Sequence, residues 1–181
     1  MNTSELLARI AAAPPRCGPV RVLALDGGAA AGKSSLAARL AARLPAGAVL
    51  ALDDLLAGWS GQFDYADRLH REVLRPLSRN LPGSYRRYDW TAGRFAERVL
   101  VPVPETLIVE GVSAIHGCAG TASVGVFLQV PRAERERRWA ERDGPLQPAW
   151  LRWLDAEDRF FAEHPTPSDT IVLRPGGQRG R

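Results

Sequence analysis

The nine residues GGAAAGKSS (27–35) have the types and spacing of an anion cradle. Gly27, Gly32, Lys33 and Ser34 fit G-x-x-x-x-G-K-[ST]. Gly27 and Gly32 permit backbone angles and a close approach that a Cβ would obstruct. Through Gly28, Ala29, Ala30 and Ala31, successive N–H groups can then converge on phosphate oxygens. The helix expected from Lys33 through Ser34 and Ser35 adds its positive end. Lys33 brings a point charge to the outer phosphates, and Ser34 a hydroxyl for a divalent cation. Lys33 is the chain's only lysine, beside 23 arginines. A slim ammonium at the one position where a forked guanidinium would crowd the loop is consistent with a tight phosphate site.

Three carboxylates stand where a catalytic base or a metal-associated group belongs. Asp53 and Asp54 close the apolar run AVLAL (48–52), and Glu110 closes TLIVE (106–110). Of the adjacent pair, Asp53 could take a proton from a hydroxyl and Asp54 could help to hold Mg²⁺ water. Capping of a following helix is the structural alternative for both. Glu110 suits Mg²⁺ or water positioning, against the alternative of a solvated strand end. In RAERERRWAERDG (132–144), Arg135, Arg138 and Arg142 share a helix face by three- and four-residue spacing. They could stabilise charge on a moving phosphoryl group, or pair with the interleaved glutamates on a surface helix. YRRYDW (85–90) sets Tyr85, Tyr88 and Trp90, which can stack on a planar base, beside Asp89, which can accept from a hydroxyl. Loop packing against the core is the alternative. His70, His116 and His164 have no ligand spacing.

The elements that would position these groups alternate strand and helix. VRVLAL (20–25), AVLAL (48–52), TLIVE (106–110), VGVFLQV (124–130) and TIVL (170–173) read as buried strands. Helices are expected over 4–13, with Ser4 as N-cap and Pro14-Pro15 as the stop, and over 33–44, where Leu36, Leu40 and Leu44 recur. Residues 55–100 read as mainly helix and loop, with YADRLHREVLRPL (65–77) helical until Pro76 and NLPGSYRRYDW (80–90) a loop. A charged helix over 132–144 and another over 148–163 follow, the latter with Trp150, Trp153, Leu154 and Phe161 as core candidates. The tail 174–181 reads as loose. Strands apolar on both faces and separated by helices predict a parallel sheet between helical layers. Ligands collect at the carboxyl ends of such strands, where 27–35, Asp53 and Glu110 fall.

Composition narrows the class. At 181 residues a single domain (1–181) with a substantial core is expected. Hydrophobic content of 45% and charged content of 24% are those of a globular protein. The net charge of +4 comes from scattered arginines rather than a basic tail, which argues against nucleic acid as the partner and suits an acidic small molecule. Glu5 and Arg9 interrupt the first apolar run, so no signal peptide is expected. No stretch approaches the roughly 18 apolar residues of a membrane span. Cys17 and Cys118 form no metal or disulfide pattern, so reduced thiols in a cytoplasm are expected.

Over about residues 20–145 the chain resembles the uridine kinase-like branch of P-loop kinases, which includes phosphoribulokinase and bacterial pantothenate kinase. The phosphate loop is shared by many families; LDDLLAGWSGQFDYADRL, YRRYDW, LIVEGV and the arginine segment ending RDG are the more specific parts. The resemblance implies an α/β P-loop NTPase three-layer sandwich with a five-stranded parallel sheet, using ATP and Mg²⁺ to phosphorylate a hydroxyl of a nucleoside-like acceptor. It implies Asp53 as base, Tyr88, Asp89 and Trp90 as acceptor contacts, Glu110 near Mg²⁺, and 132–144 as a lid carrying Arg135, Arg138 and Arg142. Two segments depart from the family. YDWTAGRF places Gly93 near the usual base-contacting histidine, and DDLL lacks the aromatic of a DSFY-type segment. A nucleoside monophosphate or an antibiotic hydroxyl is therefore an alternative acceptor, and an ATPase or nucleotide switch without a metabolite acceptor is an alternative class.

Overall fold

The computed structural model describes residues 1–174; of the tail expected to be loose, 175–181 lie outside the described residues. Five strands form one parallel sheet: β1 (Arg21–Asp26), β2 (Gly47–Ala51), β5 (Thr106–Glu110), β6 (Val124–Leu128) and β7 (Ile171–Leu173), in the order β2-β5-β1-β6-β7. The central strand β1 thus has β5 on one side and β6 on the other. Ligands favour the crevice where strand order reverses in this way.

Alternate β1 side chains feed two cores, since successive residues of a strand face opposite sides. Leu23 and Leu25, with Ile108 and Val126, pack under α1 (Thr3–Ala12) and α2 (Lys33–Ala41) through Leu6, Ile10, Leu36 and Leu40. Val22 and Ala24, with Leu50, Leu107 and Val109, pack against Leu69, Leu77, Ile115, Trp139 and Leu154 on the opposite face. The central strands β1 and β5 are buried on both faces and need apolar residues along their length, which is why they read as continuous runs, while the edge strands β2 and β7 expose Val49 and Val172. The result is the expected sheet between two helical layers.

Several boundaries differ from expectation. Asn2, not Ser4, caps α1, in a reciprocal box in which Asn2 Oδ1 accepts the Glu5 N–H at 2.9 Å and Glu5 accepts the Asn2 N–H at 3.0 Å. Helix α2 stops at Ala41, short of residue 44. Helix 65–77 is interrupted: α3 (Ala66–Leu69) passes into a π turn (His70–Leu74) and then α4 (Arg75–Ser78). Pro76 is accommodated within α4 because the preceding wide turn, with Arg75 N–H reaching His70 O, loosens the helical ladder its ring would clash with.

The largest correction concerns residues 80–101. Where a loop was expected, β3 (Gly83–Asp89) pairs antiparallel with β4 (Arg94–Val101) in a separate two-stranded sheet. Asp89 Oδ1 accepts the Thr91 and Ala92 N–H groups at 2.9 Å each, and Gly93 adopts φ +64°, closing the turn. Tyr85 and Val101 are buried, anchoring the hairpin to the domain. Helices α5 (Ala114–Gly117), α6 (Arg132–Asp143) and α7 (Pro148–Glu163) complete the elements near the sheet's carboxyl edge.

Candidate active site

The loop after β1 is shaped by left-handed backbone and by one buried acid. Gly32 takes φ +97° at the N-cap of α2, a conformation a side chain would strain. Gly28 is required for another reason: a Cβ there would lie 2.2 Å from Arg135 Nη1. Asp26 is buried and accepts N–H groups from Gly27 (2.6 Å), Ser113 (2.8 Å) and Ile115 (3.0 Å), tying the loop to the turn after β5. Burial pushes its carboxyl above the usual range, opposed by these hydrogen bonds and by Lys33.

The loop keeps donors that phosphate oxygens could accept from. The N–H groups of Ala30, Gly32, Lys33 and Ser34 have no acceptor among the described residues, although Ala30 is half-buried and Lys33 is buried. Lys33 is buried, and its Nζ donates to Gly28 O at 3.0 Å, so the only lysine folds back over the loop. Ser34 Oγ donates to Glu110 Oε1 at 2.8 Å. Parallel register sets Glu110 level with Leu25 of β1 and Ala51 of β2, at the edge where the loop begins. Burial raises the Glu110 carboxyl, while Lys33 and the Ser34 hydroxyl lower it. Among the described residues no group of three or more His, Cys, Asp or Glu side chains could hold a metal ion. Hard oxygens from one hydroxyl and one carboxylate nevertheless suit Mg²⁺, which takes few protein ligands and completes its shell with phosphate and water.

A cavity of about 560 Å³ opens in front of the loop. Ala29, Ala30, Gly32, Lys33, Ser34 and Ser35 line it, and so do Asp53, Glu110, Trp90, Arg138 and Arg142. Most of the residues singled out by sequence thus meet at one place. Asp53 and Asp54 lie in a short 3₁₀ turn (Leu52–Leu55) after β2, not at the strand's last position. The turn separates the pair: Asp53 is exposed at the cavity, whereas Asp54 accepts the Tyr85 hydroxyl at 2.9 Å. Burial raises Asp54, and burial together with this contact raises Tyr85.

Other expected contacts lie elsewhere. Tyr85 is buried against Asp54 and Asp89 closes the hairpin turn, and neither lines the cavity. Tyr88 packs edge-to-face on Trp90 at 5.2 Å, behind the wall that Trp90 presents. Arg138 and Arg142 line the cavity but are also paired, with Glu134 at 2.7 Å and Asp143 at 2.7 Å. Arg135 is buried, and its guanidinium is shared by Glu157 and Asp158 at 2.8 Å each. Its position beside Gly28 places it against the loop backbone rather than on the cavity wall.

Of the aromatic wall, sequence reasoning found only Trp90. All five tryptophans, Trp59, Trp90, Trp139, Trp150 and Trp153, line this one cavity. Trp59 meets Trp90 at 5.3 Å and Trp153 at 5.4 Å, edge-to-face, while Trp139 and Trp150 stack at 5.4 Å. The Trp90 indole N–H donates to Asp53 O at 3.2 Å, joining the wall to the turn that carries Asp53. Trp150 and Trp153 had the helical spacing of core residues; what distinguishes them is that α7 brings both to the cavity. Glu157 also went unnoticed, because one glutamate in a charged helix carries no local mark. The site can hold phosphates at one end, an apolar or flat body against indoles at the other, and a carboxylate between them.

No family model matches the chain, and no curated protein matches it. Solved structures do. A protein described as a "Possible Uridine Kinase" from Bacillus stearothermophilus superposes with a TM-score of 0.70 at 19% identity, over 94% of this chain and 96% of that one. A candidate fructose transport system kinase from Silicibacter sp. TM1040 gives 0.74 at 21% identity, over 96% of this chain and 99% of that one. At these identities the likeness is one of fold: a five-stranded parallel sheet between helical layers, shared with both of these structures.

Proposed function

We propose that the chain is a kinase that transfers the γ-phosphoryl group of ATP, with Mg²⁺, to a hydroxyl of a nucleoside-like small molecule. The observation that carries this reading is the single cavity shared by the phosphate loop, the Asp53 carboxylate and the tryptophan wall. The free N–H groups of Ala30, Gly32, Lys33 and Ser34 would bind phosphate oxygens, and Lys33 would leave Gly28 O for them. Ser34 and Glu110 would hold Mg²⁺, which supplies neutralisation of phosphate charge. Asp53 would accept the proton of the acceptor hydroxyl as that oxygen attacks, and Arg138 and Arg142 would offset charge on the moving group. Trp59 and Trp90, half exposed at 50% and 37%, offer indole faces to a base or sugar.

Phosphoryl transfer needs little covalent chemistry from protein, so alignment and charge are what the site must provide. ATP use and two buried free thiols, Cys17 and Cys118, support a cytoplasmic location. No helix among the described residues is long and apolar enough to cross a membrane. The test is ADP formation from MgATP, screened over nucleosides, nucleoside monophosphates and other small alcohols. The reading expects one acceptor class to raise the rate far above that with water alone. A rate raised only by a protein partner would favour a nucleotide switch instead.

A further inference from the structure

Beneath the cavity lies a carboxylate for which the transfer scheme has no use. Glu157, on α7, is fully buried. Both of its oxygens accept the Ala29 N–H of the phosphate loop, at 3.1 and 3.0 Å. Oε1 also accepts the Trp153 indole N–H at 2.7 Å, and Oε2 accepts Arg135 Nη1 at 2.8 Å. Every partner is a donor, so the arrangement calls for the ionised carboxylate; a protonated one would aim an O–H at a group that cannot accept it. A buried ion pair is a poor way to gain stability, but it is an effective way to fix direction. The three donors come from three different walls of the cavity: the phosphate loop, the indole wall, and the helix that carries Arg138 and Arg142.

We infer that Glu157 is a positioning residue through which occupation of the phosphate loop is transmitted to Trp153 and to Arg135. It orients the Ala29 N–H away from the donors left for phosphate and holds α6 against Gly28 through Arg135. Phosphate oxygens entering the loop draw on the N–H groups next to Ala29, and Glu157, which holds the Ala29 N–H in place, must follow that backbone together with both of its side-chain donors. Nucleotide at one end of the cavity thereby alters the acceptor wall at the other. This inference rests on the reading that nucleotide phosphates occupy residues 27–35.

The experiment is a titration of the full chain with MgADP, followed by calorimetry and by the backbone amide and tryptophan indole N–H signals in NMR. In the wild type, the Ala29 amide and the Trp153 indole should move on one binding curve. In Glu157→Gln, MgADP should bind at least about tenfold more weakly, and the Trp153 indole should stop responding at saturation. Wild-type affinity in Glu157→Gln, or a Trp153 response that persists there, would overturn the assignment, the latter by showing direct contact with nucleotide. Should that variant not fold, a wild-type Trp153 signal that stays still while Ala29 moves would overturn it equally. A wild type that gives neither heat nor shifts removes the nucleotide reading and the inference with it, whereas heat with a silent Trp153 removes only the role of Glu157.

Discussion

Two neighbouring aspartates meet different fates, and the difference is set by one turn of backbone. In the 3₁₀ turn after β2, Asp53 reaches the cavity and Asp54 reaches Tyr85. Sequence could show that an acid ended the strand, but not which of the two would face the loop, because that depends on where β2 stops. Lys33 was legible because its spacing from Gly27 and Gly32 is purely local. Its burial and its 3.0 Å contact with Gly28 O now give the solitary lysine a physical reason. A guanidinium carries charge on a wide planar fork, and the loop already has Arg135 pressed against Gly28. Lys33→Arg keeps the charge, yet should weaken MgADP binding at least tenfold, about 1.4 kcal/mol, by calorimetry. Wild-type affinity in that variant would show that charge alone is required.

At the scale of elements, the hairpin β3–β4 decides which aromatics reach the site. Its sequence reads as a loop because its arginines hide the alternation of a strand, and because the bulge between Arg86 and Tyr88 breaks the period where the aromatics cluster. The turn signal was present in Asp89 and Gly93, and the partner strand in Phe95, Val99 and Val101. Once folded, the hairpin presents Trp90 to the cavity and spends Tyr85 on Asp54. The Tyr85 hydroxyl is one polar fastening between hairpin and 3₁₀ turn, beside the Trp90 indole, and Asp54 is half-buried behind it. Tyr85→Phe leaves that carboxylate without its donor, a loss of about 1–3 kcal/mol. A thermal melt should show Tm falling by several degrees, at about 2–4 °C per kcal/mol for a chain of this size. An unchanged Tm would mean that the hairpin is held without the Tyr85 hydroxyl, by its apolar contacts and the Trp90 indole.

Across the whole molecule, the parallel sheet is what gathers distant residues. Position 33 lies on α2, 53 after β2, 90 at the hairpin, 110 at the end of β5, and 153 on α7, yet one cavity receives them all. Strand runs and loop motif were readable because burial on both faces and the glycine spacing write themselves into local sequence. The tryptophan wall and the Glu157 clamp were not, since the wall draws on α6, α7, the hairpin and the loop carrying Trp59, and Glu157 meets Ala29 across 128 residues of sequence. The central claim is that this gathering serves phosphoryl transfer from ATP to a hydroxyl, with Asp53 as the base. Asp53→Asn tests it most directly, with MgATP affinity measured by calorimetry and ADP formation measured with the acceptor that stimulates the wild type. The account predicts near-wild-type affinity and loss of acceptor-dependent ADP formation, by about 10²-fold or more; wild-type turnover in Asp53→Asn would contradict it.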